Sequence, residues 1–466
     1  MVQVIVQKSA QADAQAAPEA EVARLGGEVT LPLNLINAFV ARMSAGTVET
    51  LAAQPGVRWV SLDARMEKTA CTGECVTWSN LKNAYIRSIR ADKVWAMSTP
   101  RQGKGVGVAV VDSGINWQTD LYTIRSGQNR VVANERFNTD YNQTTFDNFG
   151  HGSHVAGVVA GNGRSSNGAY IGVAPQANII NVKVSNDDGS ATASTVVAGL
   201  EWIYNNKDAY NIRVVNISLN SAVEESYHTS PLCAAVEMLW FRGIVVVVAA
   251  GNNGTANLYP PANDPFVITV GAVDDKGTPA ISDDAITNFS AYNAKNDPNK
   301  KPDLVAPGKN IISLIGNSNG VIPASYPQNR VGEFYFRMSG TSVSAPMVSG
   351  AAALLLEDEP NLSPNQVKYR LMSTASKSFS GYNPEKAGAG YLDVYAAVSG
   401  SSTAGANDGK QPSQLLGSGS QPVTWPSGYT WSTGYTWSTG YTWSTMVDWN
   451  GVGWNNMAWN SDYWGQ

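Results

Sequence analysis

Charge, cysteine and histidine are scarce in this 466-residue sequence. Charged side chains make up 15% of it, well under the roughly one quarter of an average globular chain. The formal net charge is −5 and no Lys/Arg-rich run occurs, so nothing here is built to grip a phosphate backbone, and nucleic acid is not an expected partner. No apolar run reaches the roughly 18 residues that a membrane-spanning helix needs. The three cysteines and three histidines do not fall together as the four N/S ligands of a structural zinc. Cys233 sits in a helical pattern and reads as a buried thiol, whereas Cys71 and Cys75 share a loop-like stretch and are candidates for a small disulfide. The first eight residues lack the basic start and apolar centre of a signal peptide. Few Lys and Glu beside abundant Ser, Asn, Thr and Gly suit an extracellular or envelope protein. The expectation is therefore secretion, with the signal outside this sequence and Met1 an added start.

What is present divides into unlike parts. Residues 1–69 read as a small α+β unit: strand 2–7, helix 14–25 closed by Gly26-Gly27, strands 28–33 and 38–43, helix 44–53 capped by Ser44, and strand 57–62. The order β-α-β-β-α-β is ferredoxin-like. Residues 70–102 form a connector. From 103 to 400 the pattern changes to short runs that are apolar on both faces, at 106–111, 179–184, 214–217, 244–249 and 266–270, with helical segments such as 193–205 and 232–242 between them. Such runs predict a mostly parallel sheet covered on both sides, a doubly wound α/β domain with its site at the carboxyl ends of the strands. Residues 401–424 are Gly/Ser/Gln-rich and read as a linker. In 425–466 the hexapeptide GYTWST begins at Gly428, Gly434 and Gly440, and eight of the fourteen tryptophans lie there.

Three segments carry chemistry. VAVVDSG sets Asp112 directly after a buried strand; GHGSHVAG opens a small-residue helix with His151 at its start. SGTSVSAP puts Ser342 before an apolar helix, with Pro346 in the first turn, where proline is tolerated. Taken singly these read as a turn residue, a structural histidine and a helix cap. Together they supply a nucleophile, a base that takes its proton and a carboxylate that orients the base. Their chain order is Asp, His, Ser, and each stands at an edge of the α/β sheet.

VVDSGI, HGSHVAG and GTSVSAP resemble the three signatures of the subtilisin-like serine peptidases of family S8, over about 300 residues. The resemblance implies Asp112 as orienting carboxylate, His151 as general base and Ser342 as nucleophile. His154 matches a second histidine with no catalytic role, and His228 matches nothing functional. In VVVAAGNNG, Asn252 resembles the side-chain donor of the oxyanion hole, alongside the backbone N–H of Ser342; Asn253 is its rival. Ser218, Leu219 and Asn220 resemble the edge strand that pairs with substrate, although the family usually has glycine where this chain has Asn220. The default expectation is a broad, apolar-preferring cleft. No cofactor is required for the chemistry. A structural calcium remains open: Asp120 matches a family calcium ligand, but the loop after the His151 helix offers no carboxylate, and six or more oxygens are needed.

The resemblance extends to the ends of the chain unequally. PGVRWVSLD at 55–63 and the β-α-β-β-α-β order are similar to the family's inhibitory prodomain, which implies a folding template that occupies the cleft and self-cleavage around Lys68, Thr69 and Ala70. The alternative is a permanent ferredoxin-like domain. The tail has no such template. Its Tyr and Trp residues from 429 to 443 are all odd-numbered and share one face of an extended strand, suiting a ribbon that binds polysaccharide or cell surface, a strap packed on the catalytic domain, or a removable tail. Protein or peptide substrates are the expected partners. A surface-binding protein with an inert carrier domain is the rival class, and the acid-active sedolisin branch, with Glu in place of His, is a third.

Overall fold

The computed structural model describes residues 1–9, 17–68, 83–123, 126–140, 143–293 and 297–416, with the backbone alone for 65–68. Thr69, Ala70, Cys71, Cys75, residues 417–424 and the whole 425–466 repeat lie outside the described residues. Among those described, no helix is long and apolar enough to cross a membrane.

The N-terminal unit runs β1 (Val2–Lys8), α1 (Pro18–Arg24), β2 (Glu28–Leu33), β3 (Ala38–Met43), α2 (Val48–Ala52) and β4 (Val57–Leu62). Its strands form an antiparallel sheet in the order β2-β3-β1-β4. Period-two alternation makes both faces of that sheet apolar. Val4, Val6, Phe39 and Ala41 enter the unit's own core, while Ile5, Ala38 and Val40 join the core of the larger domain. The second helix begins later than predicted, and Ser44 gives it no side-chain cap. Residues Ala45–Thr47 form a 3-10 turn instead, with the Thr47 hydroxyl on the Ser44 carbonyl at 3.0 Å; a local hydroxyl-to-backbone bond competes with the α-helix there.

Past Ala64 the chain enters a cleft of the larger domain as β5 (Arg65–Lys68). The strands that follow are β6 (Gly107–Asp112), β7 (Val131–Arg136), β8 (Asn178–Lys183), β9 (Ala191–Thr192), β10 (Ile212–Ile217) and β11 (Leu219–Ser221). Beyond them lie β12 (Val245–Ala249), β13 (Ile268–Asp274), β14 (Ala285–Ile286) and β15 (Leu304–Pro307). The main sheet is ordered β14-β13-β12-β10-β6-β8-β7, with β15 beside β13. Every pair is parallel except β13 with β14. All residues of β6 and β12 are buried, as runs apolar on both faces require. The chain builds β7 and β8 on one side of β6, then crosses to β10, β12 and β13 on the other. The order therefore reverses at β6, and in a doubly wound sheet the crevice opens at the carboxyl end of such a strand. That end is Asp112.

The connector holds two short helices, α3 (Ala84–Ser88) and α4 (Ala91–Trp95). The others that matter here are α5 (Gly152–Ala160), α6 (Ala193–Asn206), α7 (Pro231–Phe241), α8 (Val321–Ser325) and α9 (Thr341–Asp358). α5 packs on α9, and α6 on α7. α6 and α7 also receive β2 and the turn at 34–36 of the N-terminal unit. Cys233 is a buried free thiol of α7, and burial pushes it well above its usual range.

Two expectations are corrected here. α9 begins at Thr341, so Pro346 is its sixth residue and lies inside the helix, not in its first turn. The stretch 401–424 is not a free linker throughout, because residues 401–416 lie packed along the surface. Asn407 donates to the Phe266 carbonyl at 2.9 Å, Ser413 N–H to Glu237 at 2.7 Å, and Gln414 N–H to the His228 carbonyl at 2.8 Å. The strap then reaches the N-terminal unit: Gln7 and Arg58 donate to the carbonyls of Leu415 and Gln414. Composition reads such a segment as a linker because most of it is held by scattered hydrogen bonds, and apolar burial is confined to Leu415 and Leu416 at its end.

Candidate active site

Asp112 ends β6 and turns at once into Ser113-Gly114. Gly114 has φ +107°, and a Cβ there would stand 2.6 Å from the Thr145 carbonyl oxygen; only glycine lets the chain pass. The Asp112 carboxylate accepts from Ser113 N–H at 2.7 Å, and His151 Nδ1 lies 2.8 and 2.9 Å from its two oxygens. A carboxylate accepts, so Nδ1 is the donor of this pair and Nε2 is turned away from it. His151 is the residue that precedes α5.

What fixes the start of α5 is a carboxylate that sequence reasoning missed. Asp147 is fully buried. One oxygen accepts from Gly150 N–H at 2.7 Å and from the Ser113 hydroxyl at 2.8 Å; the other accepts from Ser153 N–H at 2.8 Å. The Ser113 hydroxyl in turn accepts from Gly152 N–H at 2.9 Å. The backbone on both sides of His151 is thus tied to one anion at a helix N-terminus, where negative charge is favoured. The only signal was an Asp four residues before a His in a turn, which is common.

Ser342 is the second residue of α9, and its N–H is one of the first-turn donors that helix geometry leaves unpaired. The Asn252 carbonyl oxygen accepts from Thr341 N–H at 2.9 Å and from the Thr341 hydroxyl at 3.0 Å. Those two donors fix the amide's orientation, and Asn252 Nδ2 is left without a partner among the described residues. Asn253 is turned away, bonding Asn257 and Thr255 in its own loop. His151 Nε2 and Ser342 Oγ are likewise buried and without a partner among the described residues.

Pro346 has no N–H to give the carbonyl four residues earlier, which is that of Ser342. The Ser218 hydroxyl supplies the missing donor at 2.8 Å. Ser218 accepts from Asn216 Nδ2 at 2.9 Å, and Asn216 Oδ1 accepts from the Ser349 hydroxyl at 2.9 Å. The side chain of Ser218 therefore supports the Ser342 turn from behind and does not face a substrate. Leu219 is buried, and Asn220 donates from Nδ2 to the Ala249 carbonyl at 3.0 Å.

β5 is the middle strand of a three-stranded sheet, antiparallel to β11 and to β9. Lys68 pairs with Leu219 and Glu67 with Asn220, while Arg65 and Met66 face Thr192 and Ala191. Asp63, just before it, accepts from Ser194 N–H at 2.7 Å and from the Ser194 hydroxyl, at the start of α6. Burial pushes the Asp63 carboxyl up to about 6, against those donors.

The remaining sequence candidates fall outside this centre. His154 donates from Nε2 to the carbonyls of Ile311 and Phe336 at 3.1 Å each, and burial lowers its pKa to about 3, so it is a neutral packing residue. His228 lies half-buried under the 401–416 strap. Asp120 does not fit a calcium ion. Its carboxylate accepts from Ser165 N–H and from the Tyr335 hydroxyl, both at 2.7 Å. The local cation is the buried Arg130 guanidinium, which donates to the carbonyls of Asp120, Ala160 and Ala177 at 2.7–2.8 Å. Oxygens spent in this way are not free to fill a calcium shell. No group of three or more His, Cys, Asp or Glu suited to a metal occurs among the described residues.

Residues 103–390 match the family model described as "Subtilase family". The serine protease AprX of Bacillus subtilis (strain 168) is 41% identical over 307 residues, spanning 64% of this chain and 67% of that protein. Subtilisin DY of Bacillus licheniformis is 36% identical over 293 residues, 62% of this chain and 89% of that protein. Among solved structures, fervidolysin from Fervidobacterium pennivorans aligns with a TM-score of 0.65 at 24% identity, a likeness of fold. That alignment covers 86% of this chain and 61% of the fervidolysin chain.

Proposed function

Because this chain belongs to the subtilase family and is a serine endopeptidase of it, we propose that it is made as a secreted, self-processing zymogen whose catalytic residues are Asp112, His151 and Ser342. Ser342 Oγ attacks the carbonyl carbon of the scissile peptide bond as His151 Nε2 takes its proton. Asp112 holds the ring and stabilises the imidazolium that forms. The oxygen that turns negative is received by Asn252 Nδ2 and by Ser342 N–H, with the N-terminal dipole of α9 behind them. His151 then gives its proton to the leaving amine, and water, activated in the same way, hydrolyses the acyl-enzyme. The observation that carries this reading is the set of three buried, unpartnered groups, His151 Nε2, Ser342 Oγ and Asn252 Nδ2, each held from the other side by a bonded partner. Nothing in these steps calls for a metal.

The zymogen reading is supported by β5. A substrate would add as a strand between β11 and β9, and the chain's own residues 65–68 already pair with both. Asp112, His151 and Ser342 are 1%, 0% and 0% exposed, which suits a chain held inactive. Lys68 pairs with Leu219, one residue short of Ser218, whose hydroxyl bonds the Ser342 carbonyl. Within the expected region Lys68–Ala70, we therefore take the bond after Thr69 as the one cut. The 401–416 strap, bonded to both units, is a second tether on the N-terminal unit. For the tail at 425–466, contact with polysaccharide or cell surface, packing on the catalytic domain and a removable tail are the three readings; rapid loss of the tail under added protease overturns packing.

The test is a gel and mass time course of the full chain beside Ser342→Ala. The wild type should release a fragment ending at residue 69 and gain peptidase activity, while the variant does neither. Release of the same fragment by the variant would overturn self-processing.

A further inference from the structure

The family reading leaves one residue of the cleft unexplained. Asn220 stands on β11 where an extended peptide pairs, and its side chain crosses to the segment that leads from β12 to Asn252. Nδ2 donates to the Ala249 carbonyl at 3.0 Å. A carbonyl only accepts, so this bond fixes the amide's orientation and turns Oδ1 the other way. Asn220 Oδ1 is shielded from solvent and has no hydrogen-bond partner among the described residues. It sits 3.7 Å from where a Cβ on Gly251 would be, and Gly251, at φ +111°, has no such atom to fill the space.

These two segments must form the walls for one particular side chain. The residue that is acylated, P1, would have its carbonyl between Ser342 Oγ and Asn252 Nδ2, with its backbone along Ser218 and β11 (Leu219–Ser221). With the peptide so placed, its side chain would enter between that strand and residues 249–251, the two segments that the Asn220 amide joins. A glycine in place of Asn220 would leave the slot open from wall to wall. The Asn220 amide bridges it, shortens it and places a single unpaired acceptor inside it.

We propose that Asn220 is a specificity-determining residue and that the enzyme prefers, at P1, a short side chain carrying a hydroxyl donor, threonine or serine, over large apolar ones. The proposal rests on the endopeptidase reading above and narrows its substrate class. A hydroxyl satisfies Oδ1, whereas an apolar isostere buries it unpaired, and sites with unpaired polar groups discriminate strongly against the analogue that lacks the donor. A long aromatic side chain collides with the amide bridge. The processing segment Lys68-Thr69-Ala70 offers a residue of the favoured kind in Thr69.

The experiment uses the full-length protein after its own maturation, with fluorophosphonate labelling to count active Ser342. A set of fluorogenic peptides differs only at P1: Thr, Val, Ser, Ala, Leu and Phe. Thr should exceed its isostere Val in kcat/KM by about tenfold or more, and Phe should be poor. In Asn220→Gly the Thr-to-Val ratio should fall toward one, and Leu and Phe should gain. A wild-type preference for Phe or Leu overturns the proposal without any variant being made. So does an Asn220→Gly enzyme that folds, labels and keeps the same Thr-to-Val ratio. A chain that takes no label and cuts no peptide overturns the endopeptidase reading itself, and the proposal with it.

Discussion

α5 and α9 begin in the same crevice, are built from the same small residues and each present one member of the proposed triad at the first turn, yet they are held in opposite ways. α5 is held by charge: the buried Asp147 carboxylate gathers Gly150 N–H, Ser153 N–H and the Ser113 hydroxyl around His151. α9 is held by neutral groups: Asn252 caps Thr341, and Ser218 replaces the donor that Pro346 lacks. The difference suits the chemistry. In the proposed mechanism His151 becomes a cation and gains from a nearby anion, whereas an oxyanion forms beside Ser342, and a buried carboxylate there would oppose it.

The largest effect that would break this comparison is expected at Asp147. Asp147→Ala strands two buried N–H groups, each worth about 1–3 kcal/mol, and leaves the Ser113 hydroxyl only its longer bond to Asp112 at 3.1 Å, so a loss of about 3–5 kcal/mol in unfolding stability should appear in denaturant melts of the Ser342→Ala background. Asp147→Asn keeps an acceptor and should recover part of it. A change below 1 kcal/mol for the alanine variant would mean that α5 does not depend on the anion.

Next in size is Asn252→Ala. It removes the cap on Thr341 and the free Nδ2 together, and should lower kcat by about 10²–10³ with little change in KM. A change confined to KM would place Asn252 in ground-state binding instead.

Ser218→Ala should cost about 1–3 kcal/mol, since it leaves the Ser342 carbonyl unpaired. Pro346→Ala restores an N–H in position to bond that carbonyl, so the cost of Ser218→Ala should shrink in the Pro346→Ala background. A double-mutant cycle with no coupling would show that the hydroxyl serves some other purpose than standing in for the missing donor.

The smallest expected effect concerns a third helix start, that of α6, which is held by a carboxylate from the N-terminal unit. Asp63 is raised to about 6 by burial, above the roughly 4 of a free carboxyl. Between those values the docked form holds a proton that the released form has lost. Docking is therefore strongest below pH 4 and weakens as pH rises through about 6. In the Ser342→Ala chain, the difference in thermal midpoint between Asp63 and Asp63→Asn should grow across that window and level off above it. A flat difference would mean that Asp63 titrates normally when docked.

How much of this was legible beforehand follows a simple division. Asp112, His151 and Ser342 could be singled out because each lies in a dense local pattern, a polar residue flanked by glycine at the end of an apolar run. Five strands of the parallel sheet were legible from runs apolar on both faces, within a residue or two at most ends, whereas β7, partly exposed, and the four-residue β15 were not. Asp147 was not, because Asp in a turn is too common to signal anything. Ser218 could be placed on the substrate strand, but its bond to the Ser342 carbonyl spans 124 residues of sequence. The 401–416 strap was misread because scattered hydrogen bonds and two leucines at its end, Leu415 and Leu416, leave little compositional mark.

The sequence by itself determined the reaction and the fold, because nucleophile, base, carboxylate and alternating strand pattern are all properties of short segments. Tertiary structure alone decided how those residues are held and what may reach them. It brought β5 between β11 and β9, set Arg130 against the backbone carbonyl of Asp120 and carried the Asn220 amide across to Ala249. Each of these is a contact between segments far apart in the chain, whose free energy depends on a geometry that no local pattern encodes.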